Sequence, residues 1–596
     1  MRLSLSLLST LAFSVGMTTA SAQLSDPIPG SIAKGDLSYE LEDWLTLPAS
    51  SSGSTRARLS VMKPAYDGSG RIFINDLRGA FYVIVDDTVK LFANLNDVFP
   101  NFIDSPRLGT GFHSFAFHPD FENNGKFYTA HTEPDGSGSA DFGSPTGQVI
   151  EVQSVVTEWT MDNPAADEFS GSRREVLRVE YAEFVHNIQG IDFNHFVDAS
   201  NENHGLLYVC VGDGAAVDNG FPEIGHRLDA VNGTLLRIDP LGTDSANGRY
   251  GIPASNPFAD DGDAATIAEI YAWGFRNPHR ICWDSANPDR LFLFDIGEKG
   301  AEEVNLITKG GDYGYSVREG TFLLDTAFNH DVVFPLPADD ANFDYVYPVA
   351  QYDHDEGRAI AGGQVYRGSR FPDLQGKLIF GDIVNGRVFY VEADDLTLGT
   401  QATIRELQLT RNNLNRSLLQ IMGDSRADLR IGVDAAGEIY LTTKRDGKIR
   451  RFQAAVPEPD TGTGQLLNIS TRGQVNPGEE LMTGGFVISE RATPVLIRGI
   501  GPALAEFGVA GTLADPVLAL VPLGETDAAF TNDNWSDETN AADIATRSAA
   551  VGAFALTEGS DDAAMLITLD PGSYTVQLTG KDGGTGIALV EVYQVE

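Results

Sequence analysis

Short apolar segments separated by Gly, Asp and Asn run along the chain from about Leu37 to Arg451. Apolar runs bounded by such turn formers are typical of β-strands, and few stretches show the period of a long helix. One pattern recurs, a polar turn with Gly or Asp followed by an apolar strand. Its six imperfect copies begin at Asp67, Asn124, His204, Pro288, Gln375 and Ala436. They predict an all-β fold, a six-bladed β-propeller with long insertions.

A second, smaller β domain is predicted after a linker at residues 454–464, which is rich in Pro, Gly, Thr and acidic residues. Strand patterns return at residues 485–489, 494–498, 516–521, 564–569, 573–578 and 587–593. They predict an antiparallel β-sandwich at residues 465–596. This domain has only five basic residues and neither His nor Cys, so we expect an accessory role for it.

The first 22 residues predict a signal peptide. Arg2 precedes an apolar run from Leu3 to about Met17, and Ala20-Ser21-Ala22 forms a small-residue cleavage site. We therefore expect a secreted or periplasmic protein whose propeller occupies residues 23–453. No later segment approaches the roughly 18 continuous apolar residues of a membrane span, so no integral membrane segment is predicted.

Net charge excludes one class of partner. The chain has 42 Lys and Arg against 84 Asp and Glu, a formal charge of −42, and such a surface repels nucleic acids.

The two cysteines, Cys210 and Cys282, both lie in apolar, strand-like segments. A pair of cysteines is not a disulfide scaffold. Two buried thiols are favoured over a bridge, although the sequence leaves both open.

The best catalytic candidates lie between Tyr181 and Asp213. His186 is at a predicted turn, and Asp213 follows an apolar strand, so the two can meet at the same end of neighbouring strands. An imidazole titrates near neutrality and suits the role of general base. The alternatives are a histidine that caps a turn and a Gly-Asp-Gly segment that is only a turn.

Arg276-Asn277-Pro278 forms a second candidate group, because it follows the apolar segment from Ile270 to Phe275. A fixed guanidinium can stabilise negative charge on a reduced cofactor, and an amide can bind a carbonyl or carboxylate. The alternative is a structural arginine that satisfies loop carbonyls.

Taken together, several segments resemble the glucose/sorbosone dehydrogenase family. They lie between about Ala65 and Arg451 and include residues 115–121, 186–187, 212–214, 233–240, 270–278, 295–297, 302–305, 311–315 and 362–372. The resemblance implies a six-bladed quinoprotein that oxidises aldoses with pyrroloquinoline quinone and calcium. The C-terminal domain lies outside the resemblance.

The resemblance also implies roles for individual residues. His186 matches the catalytic base and Asp213 the carboxylate that orients it. Arg276 matches a residue that acts on the reduced quinone, and Asn277 and Arg426 match further cofactor contacts. Calcium ligation is implied for the main-chain carbonyls of Gly297 and Glu298, since oxygen ligands suit a hard cation.

Three positions depart from the family pattern. The segment from Gly381 to Arg387, at the end of the fifth blade, has no lysine where the family has one. Of a pair of arginines in the last blade only Arg426 has a match, and Gly109 stands where a polar residue is expected. The quinone carries three carboxylates, and each charged hydrogen bond to it that is missing weakens its binding by about 1.5–3 kcal/mol.

Two functions follow from these observations. The first is a secreted or periplasmic dehydrogenase that oxidises an aldose or related polyol by hydride transfer to pyrroloquinoline quinone, with an electron acceptor that the sequence does not identify. The second is a non-catalytic, calcium-stabilised propeller that binds carbohydrate or protein. A hydrolase is disfavoured because no nucleophile–base pair stands out.

Overall fold

The computed structural model of the chain describes residues 23–145, 147–324, 330–454, 468–478, 481–488, 492–525 and 527–595. The chain divides into two compact units, Met1–Val456 and Pro457–Glu596. The predicted signal peptide lies outside the described residues, as does all of the predicted linker except its first residue. Both therefore stay predictions, and so do the exact domain boundaries.

The first unit is a six-bladed β-propeller with four strands in each blade. Blades 1 to 4 are separate sheets, and blades 5 and 6 belong to one continuous sheet. Blades 1 to 3, each given from its first strand outward, are Leu59–Pro64, Ile72–Asp76, Ala80–Val85 and Thr88–Asn94; Phe112–Phe117, Lys126–Pro134, Val152–Met161 and Gly171–Tyr181; and Ile188–Phe193, Leu207–Val211, Thr234–Ile238 and Ile270–Trp273. Blades 4 to 6 are Pro278–Asp284, Asn287–Asp295, Glu302–Leu306 and Ala350–Tyr352; Ile360–Val365, Lys377–Asp382, Val388–Glu392 and Arg405–Arg411; and Leu429–Val433, Ile439–Thr443, Lys448–Ala454 and Lys34–Thr46.

The first strands of the six blades form a closed ring, because each contacts the first strands of the blades on both sides. Each of the six sequence repeats leads into the second strand of one blade. The repeats therefore mark one equivalent position in every blade. The prediction of an all-β, six-bladed propeller is confirmed.

Blade 6 closes the ring with a strand from the start of the unit. Lys34–Thr46 pairs antiparallel with Lys448–Ala454, so the outer strand of this blade comes from the opposite end of the sequence. The same strand pairs parallel with Arg405–Arg411 of blade 5. Nothing in the local sequence pattern predicted this closure.

Packing of blade against blade explains why the strands read as continuous apolar runs. Ile72–Asp76 and Leu207–Val211 are buried at every position, because neighbouring blades cover both faces of each sheet. Blades 1 and 2 enclose an aromatic cluster that includes Phe73, Phe81, Phe115, Phe127 and Trp159. Cys210 and Cys282 are buried and unbridged, which confirms the preference for two free thiols.

Short elements decorate the connections. A small sheet inserted in blade 4 consists of Arg318–Glu319, Phe322–Leu324 and Val333–Phe334. Other short elements of this unit are the strand Leu414–Asn415, the helices Phe121–Asn124 and Leu418–Met422, and the 3-10 turns Leu95–Asp97, Pro222–His226, Asp340–Asn342, Pro372–Leu374 and Ala393–Asp395. Within the described parts of both units, no helix is long and apolar enough to cross a membrane.

The second unit contains two four-stranded antiparallel sheets. Their strands, in spatial order, are Asn468–Val475, Gly586–Gln594, Thr493–Ile500 and Ala563–Leu569; and Met482–Ile488, Gly572–Gly580, Pro516–Pro522 and Phe530–Asn532. One apolar core draws on both sheets, with Ile497 and Val590 from the first and Leu518 and Val576 from the second. This is the predicted sandwich-like architecture. The unit also has the helix Ala541–Ala550 and the 3-10 turns Pro502–Phe507, Trp535–Asp537 and Lys581–Gly583.

Candidate active site

A cavity of about 430 Å³ lies where the first strands of the propeller blades begin. Residues from all six blades line it, and they come from the loops before the first strands, from the first strands themselves and from the loops after the second strands. Its polar lining includes His186, Asn277, His279, Arg426, Arg430 and Lys444. Three of the residues predicted from the sequence, His186, Asn277 and Arg426, thus meet at one cavity although they lie in three different blades.

His186 and Asp213 form a hydrogen-bonded pair at the cavity wall. Ile188 of the first strand of blade 3 pairs with Val211 of the second strand. Because the strands are antiparallel, the residue two positions before Ile188 faces the residue two positions after Val211. The His186 Nδ1 atom lies 2.7 Å from Asp213 Oδ1, so the two side chains meet as expected. Their catalytic roles stay predictions.

The geometry of the pair leaves one imidazole nitrogen available. A carboxylate can only accept, so Nδ1–H of His186 donates to Asp213, and Nε2 carries the free lone pair. Asp213 is itself held by the backbone amides of Ala215 and Ala216, at 2.9 and 3.2 Å from its oxygens. His186 retains 12% side-chain exposure, against 1% for Asp213. The histidine can therefore reach a ligand that the aspartate cannot.

The Gly-Asp-Gly segment does more than form a turn, because its first glycine allows a close contact with the loop that carries His186. A Cβ atom on Gly212 would lie 2.3 Å from the carbonyl oxygen of His186, so only glycine permits this close approach of the two loops. His186 itself adopts φ of 53°, a left-handed conformation that few non-glycine residues adopt. The loop contact between Gly212 and His186 thus places the imidazole at the cavity.

Arg276 is buried but engaged with the protein, and it is not among the residues that line the cavity. Its Nε donates to the Glu298 carboxylate at 2.7 Å, and its Nη1 donates to the Gly297 carbonyl at 2.7 Å. Its own carbonyl accepts from the amide of Asp213 at 2.8 Å. The structure thus links Arg276 to the histidine–aspartate pair through the backbone. The contact of Arg276 with a quinone stays a prediction.

Asn277 presents a buried amide oxygen without a hydrogen-bond partner among the described residues. Its backbone amide donates to Asp295 at 2.7 Å, and that of Arg276 donates to the other oxygen of Asp295 at 2.9 Å. Asp295 therefore fixes the Arg276-Asn277 segment. Arg426 is 39% exposed and its Nε lies 2.6 Å from Asp428, so it enters the cavity as half of an ion pair.

The two predicted calcium carbonyls belong to a loop that wraps around Glu319. One Glu319 oxygen accepts from the four successive amides of residues 298–301, at 2.6 to 3.1 Å. Because N–H and C=O of a trans peptide point in opposite directions, the Gly297 carbonyl faces away from Glu319, towards the guanidinium of Arg276. A cation at this carbonyl requires that Arg276 move, and the calcium role of Gly297 and Glu298 stays a prediction.

The Glu298 carboxylate takes part in a second group of possible metal ligands. One atom each from Asp218, Glu298 and His330 lie within 4.8 Å of one another. The group includes an imidazole, which calcium does not favour, and its Glu298 carboxylate is already bound by Arg276. We assign no metal to it.

Basic residues that the sequence reasoning missed also line the cavity. They are Arg58, Arg358, Arg430 and Lys444, accompanied by His279. Each lies just before a first strand, within it, or just after a second strand, so their common signal is blade position rather than a motif. The cavity is more cationic than the absent lysine of blade 5 suggested.

Buried acids lie beneath the Arg276 segment in blade 4. Asp295 pairs across the sheet with Glu303, and burial is the main cause that raises the pKa of Glu303 to about 7. Burial also raises the pKa of Asp295 well above its usual range. At least one of these two carboxyls therefore holds a proton at mildly acidic pH.

The sequence matches the family model described as Glucose / Sorbosone dehydrogenase over residues 61–451. It is 26% identical to HIPL1 protein of Arabidopsis thaliana over 372 residues, 55% of this chain and 51% of that protein. It is 24% identical to human Hedgehog-interacting protein over 434 residues, 70% of this chain and 53% of that protein. The chain thus spans about half the length of these curated relatives.

Among solved structures, the PQQ-bound form of aldose sugar dehydrogenase from Streptomyces coelicolor aligns with 70% of this chain and 98% of its own. The sequence identity is 16% and the TM-score is 0.45.

Proposed function

The chain belongs to the glucose/sorbosone dehydrogenase family, and from this premise we propose that it is an exported quinoprotein that oxidises an aldose or related polyol. The observation that carries the proposal is the His186–Asp213 pair at the wall of a cationic cavity. A tricarboxylate cofactor needs cationic partners, and an alcohol oxidation needs a base. The cavity offers both.

The described residues fit pyrroloquinoline quinone at this cavity. Basic side chains face a space of about 430 Å³, and the Asn277 amide oxygen and the Arg430 Nε atom are buried without partners. Unsatisfied buried polar atoms are costly, so a ligand that pairs with them is favoured. Asn277, Arg426 and the other basic residues of the cavity would hold the quinone.

In this proposal His186 acts as general base. Its Nε2 atom removes the hydroxyl proton of the sugar, while Asp213 holds the ring in orientation and stabilises the imidazolium that forms. The bound quinone would supply the hydride acceptor. Arg276, fixed by Glu298 and Gly297, supports the loop that carries Asp213 through its backbone carbonyl.

Reconstitution tests the proposal. Purified apoprotein is mixed with calcium and pyrroloquinoline quinone, and reduction of a redox dye is followed across a panel of sugars, with parallel samples that contain a chelator or lack the quinone. We expect a bound-quinone spectrum and sugar-dependent dye reduction. Absence of both would overturn the dehydrogenase proposal. Activity in the complete mixture that is lost in the chelated sample, as it is in the sample without quinone, would support a calcium requirement.

A second candidate is a non-catalytic propeller that binds carbohydrate or protein. The ion pair of Arg276 with Glu298 favours it, because an arginine held this way has fewer donors left for a quinone. The relative named for its interaction with Hedgehog also matches most of this chain. A protein that binds sugars without spectral change or dye reduction would support this candidate.

In either case, we propose export by the predicted signal peptide and an accessory role for the C-terminal sandwich.

A further inference from the structure

Charged residues lie at or just after the ends of the second strands in several blades, and in blade 6 the charged residue is a base. The second strands of blades 1, 4 and 5 end in Asp76, Asp295 and Asp382, and Asp213 follows that of blade 3. In blade 6 the residue that follows the second strand is Lys444. The end of the second strand thus carries an acid in blades 1, 4 and 5, whereas blade 3 has an acid two residues beyond that register position and blade 6 has a base one residue beyond it.

Lys444 is buried without a counter-ion. It is 6% exposed and lines the cavity, and its Nζ atom forms no hydrogen bond or ion pair with the described residues. Asp428, the acid whose charge acts on Lys444, already pairs with Arg426 at 2.6 Å. Burial, and after it the charge of Arg430, hold the pKa of Lys444 well below its usual range. An unpaired ammonium in this position is costly unless an anion joins it.

Arg430 is a second buried cation at this cavity that lacks hydrogen-bond partners. It is 8% exposed, its Nη1 donates to the Leu429 carbonyl at 2.7 Å, and its Nε has no partner among the described residues. Arg280 and Arg58 add positive charge nearby rather than cancelling it, as their influence on Lys444 shows. Two buried cations with free donors therefore face one cavity.

We propose that Lys444 and Arg430 form the subsite that binds a carboxylate group of the quinone. The inference rests on the proposed function, because a ligand with three carboxylates supplies the missing anion. It also answers the departure in blade 5, where 381–387 lacks the family's lysine. In this chain the cationic contact lies in the neighbouring blade instead. Lys444 is an unpaired ammonium beside an arginine, and it binds an anionic oxygen of the quinone.

Calorimetric titration of the apoprotein tests the subsite. Pyrroloquinoline quinone and its trimethyl ester are each titrated into the wild type, Lys444→Gln, Lys444→Met and Arg430→Gln. Lys90→Gln, which removes an equally charged but half-exposed lysine from the outer strand of blade 1, is the matched control. We expect the Lys444 and Arg430 variants to bind the free acid about 10- to 100-fold more weakly and the ester as the wild type does.

Thermal unfolding of the apoprotein supplies a readout that a structural role would not give. Because Lys444 has no partner to lose, Lys444→Met should unfold at the same temperature as the wild type or higher, whereas loss of a structural lysine would lower it. Lower stability, or unchanged affinity for the free acid, would overturn the subsite alone. A wild type that does not bind the quinone would overturn the proposed function together with it.

Discussion

Blades 3 and 5 use the same strand end in different ways. In blade 5, Asp382 accepts from four backbone amides, those of Arg358, Ala359, Val384 and Asn385, at 2.6 to 2.8 Å. In blade 3, Asp213 accepts from two amides after it and from the His186 ring. The loop before the first strand contributes backbone donors in one blade and an imidazole in the other.

The comparison shows that a carboxylate at this position is structural by default. Asp76 and Asp295 follow the blade 5 pattern, since each accepts from the backbone of the loop before the first strand of its own blade. Only where a histidine replaces those backbone donors does the carboxylate orient a group that can do chemistry. Asp213 thus owes its proposed role to His186, which it meets two residues beyond the register position of Asp382.

The largest effect should come from His186→Ala. Loss of the general base should lower turnover of the reconstituted protein by about 10²- to 10⁴-fold, while the bound-quinone spectrum stays nearly unchanged. Steady-state dye reduction and quinone titration measure the two quantities.

His226→Ala is the matched control, because His226 also faces an aspartate, Asp312, at 2.9 Å but does not line the cavity. This variant should keep its turnover. If His186→Ala remained active, or both variants lost activity equally, the base would have to be another residue.

Much of the fold could be predicted because its signals are local. Each repeat is one turn and one buried strand, and each is readable without its neighbours. The His186–Asp213 contact was also within reach, since a hairpin fixes which residues meet. The closing strand Lys34–Thr46 was not, because its partner lies at the other end of the propeller sequence.

The charge of the cavity was the least predictable feature. Lys444 and Arg430 lie in no recognisable motif, and they face the cavity only because the ring of blades closes. The ion pair between Arg276 and Glu298 was missed for a related reason, since it depends on how the loop before Glu302 folds around Glu319. Side chains that meet only because the ring of blades closes have no characteristic spacing in the sequence, so a sequence pattern does not reveal them.

A second experiment separates the two uses of the strand end. Asp382→Asn replaces an acceptor with an amide that cannot accept from all four backbone donors, so we expect the propeller to lose about 2–4 kcal/mol of unfolding free energy. Asp213→Asn should cost less stability and act mainly on turnover, because it favours the wrong imidazole tautomer. Urea denaturation and dye reduction on both variants test this contrast. Equal losses of stability would show that Asp213 is structural as well.

The smallest effect concerns blade 4, where Asp295 is packed against Glu303. A pKa of Glu303 raised to about 7 by burial means that the native state binds a proton which the unfolded state releases above about pH 4.5. The stability linked to Glu303 is therefore complete below pH 4.5 and is lost as the pH rises towards 7.

Glu303→Gln should reduce this change of unfolding free energy with pH by about 1–3 kcal/mol over the interval. Urea denaturation at pH 4.5, 5.5 and 7 measures it, with Glu122→Gln in the short helix of blade 2 as control. A slope that Glu303→Gln leaves unchanged would assign the proton to Asp295, and blade 4 would then differ from blade 3 in the strand-end carboxylate itself.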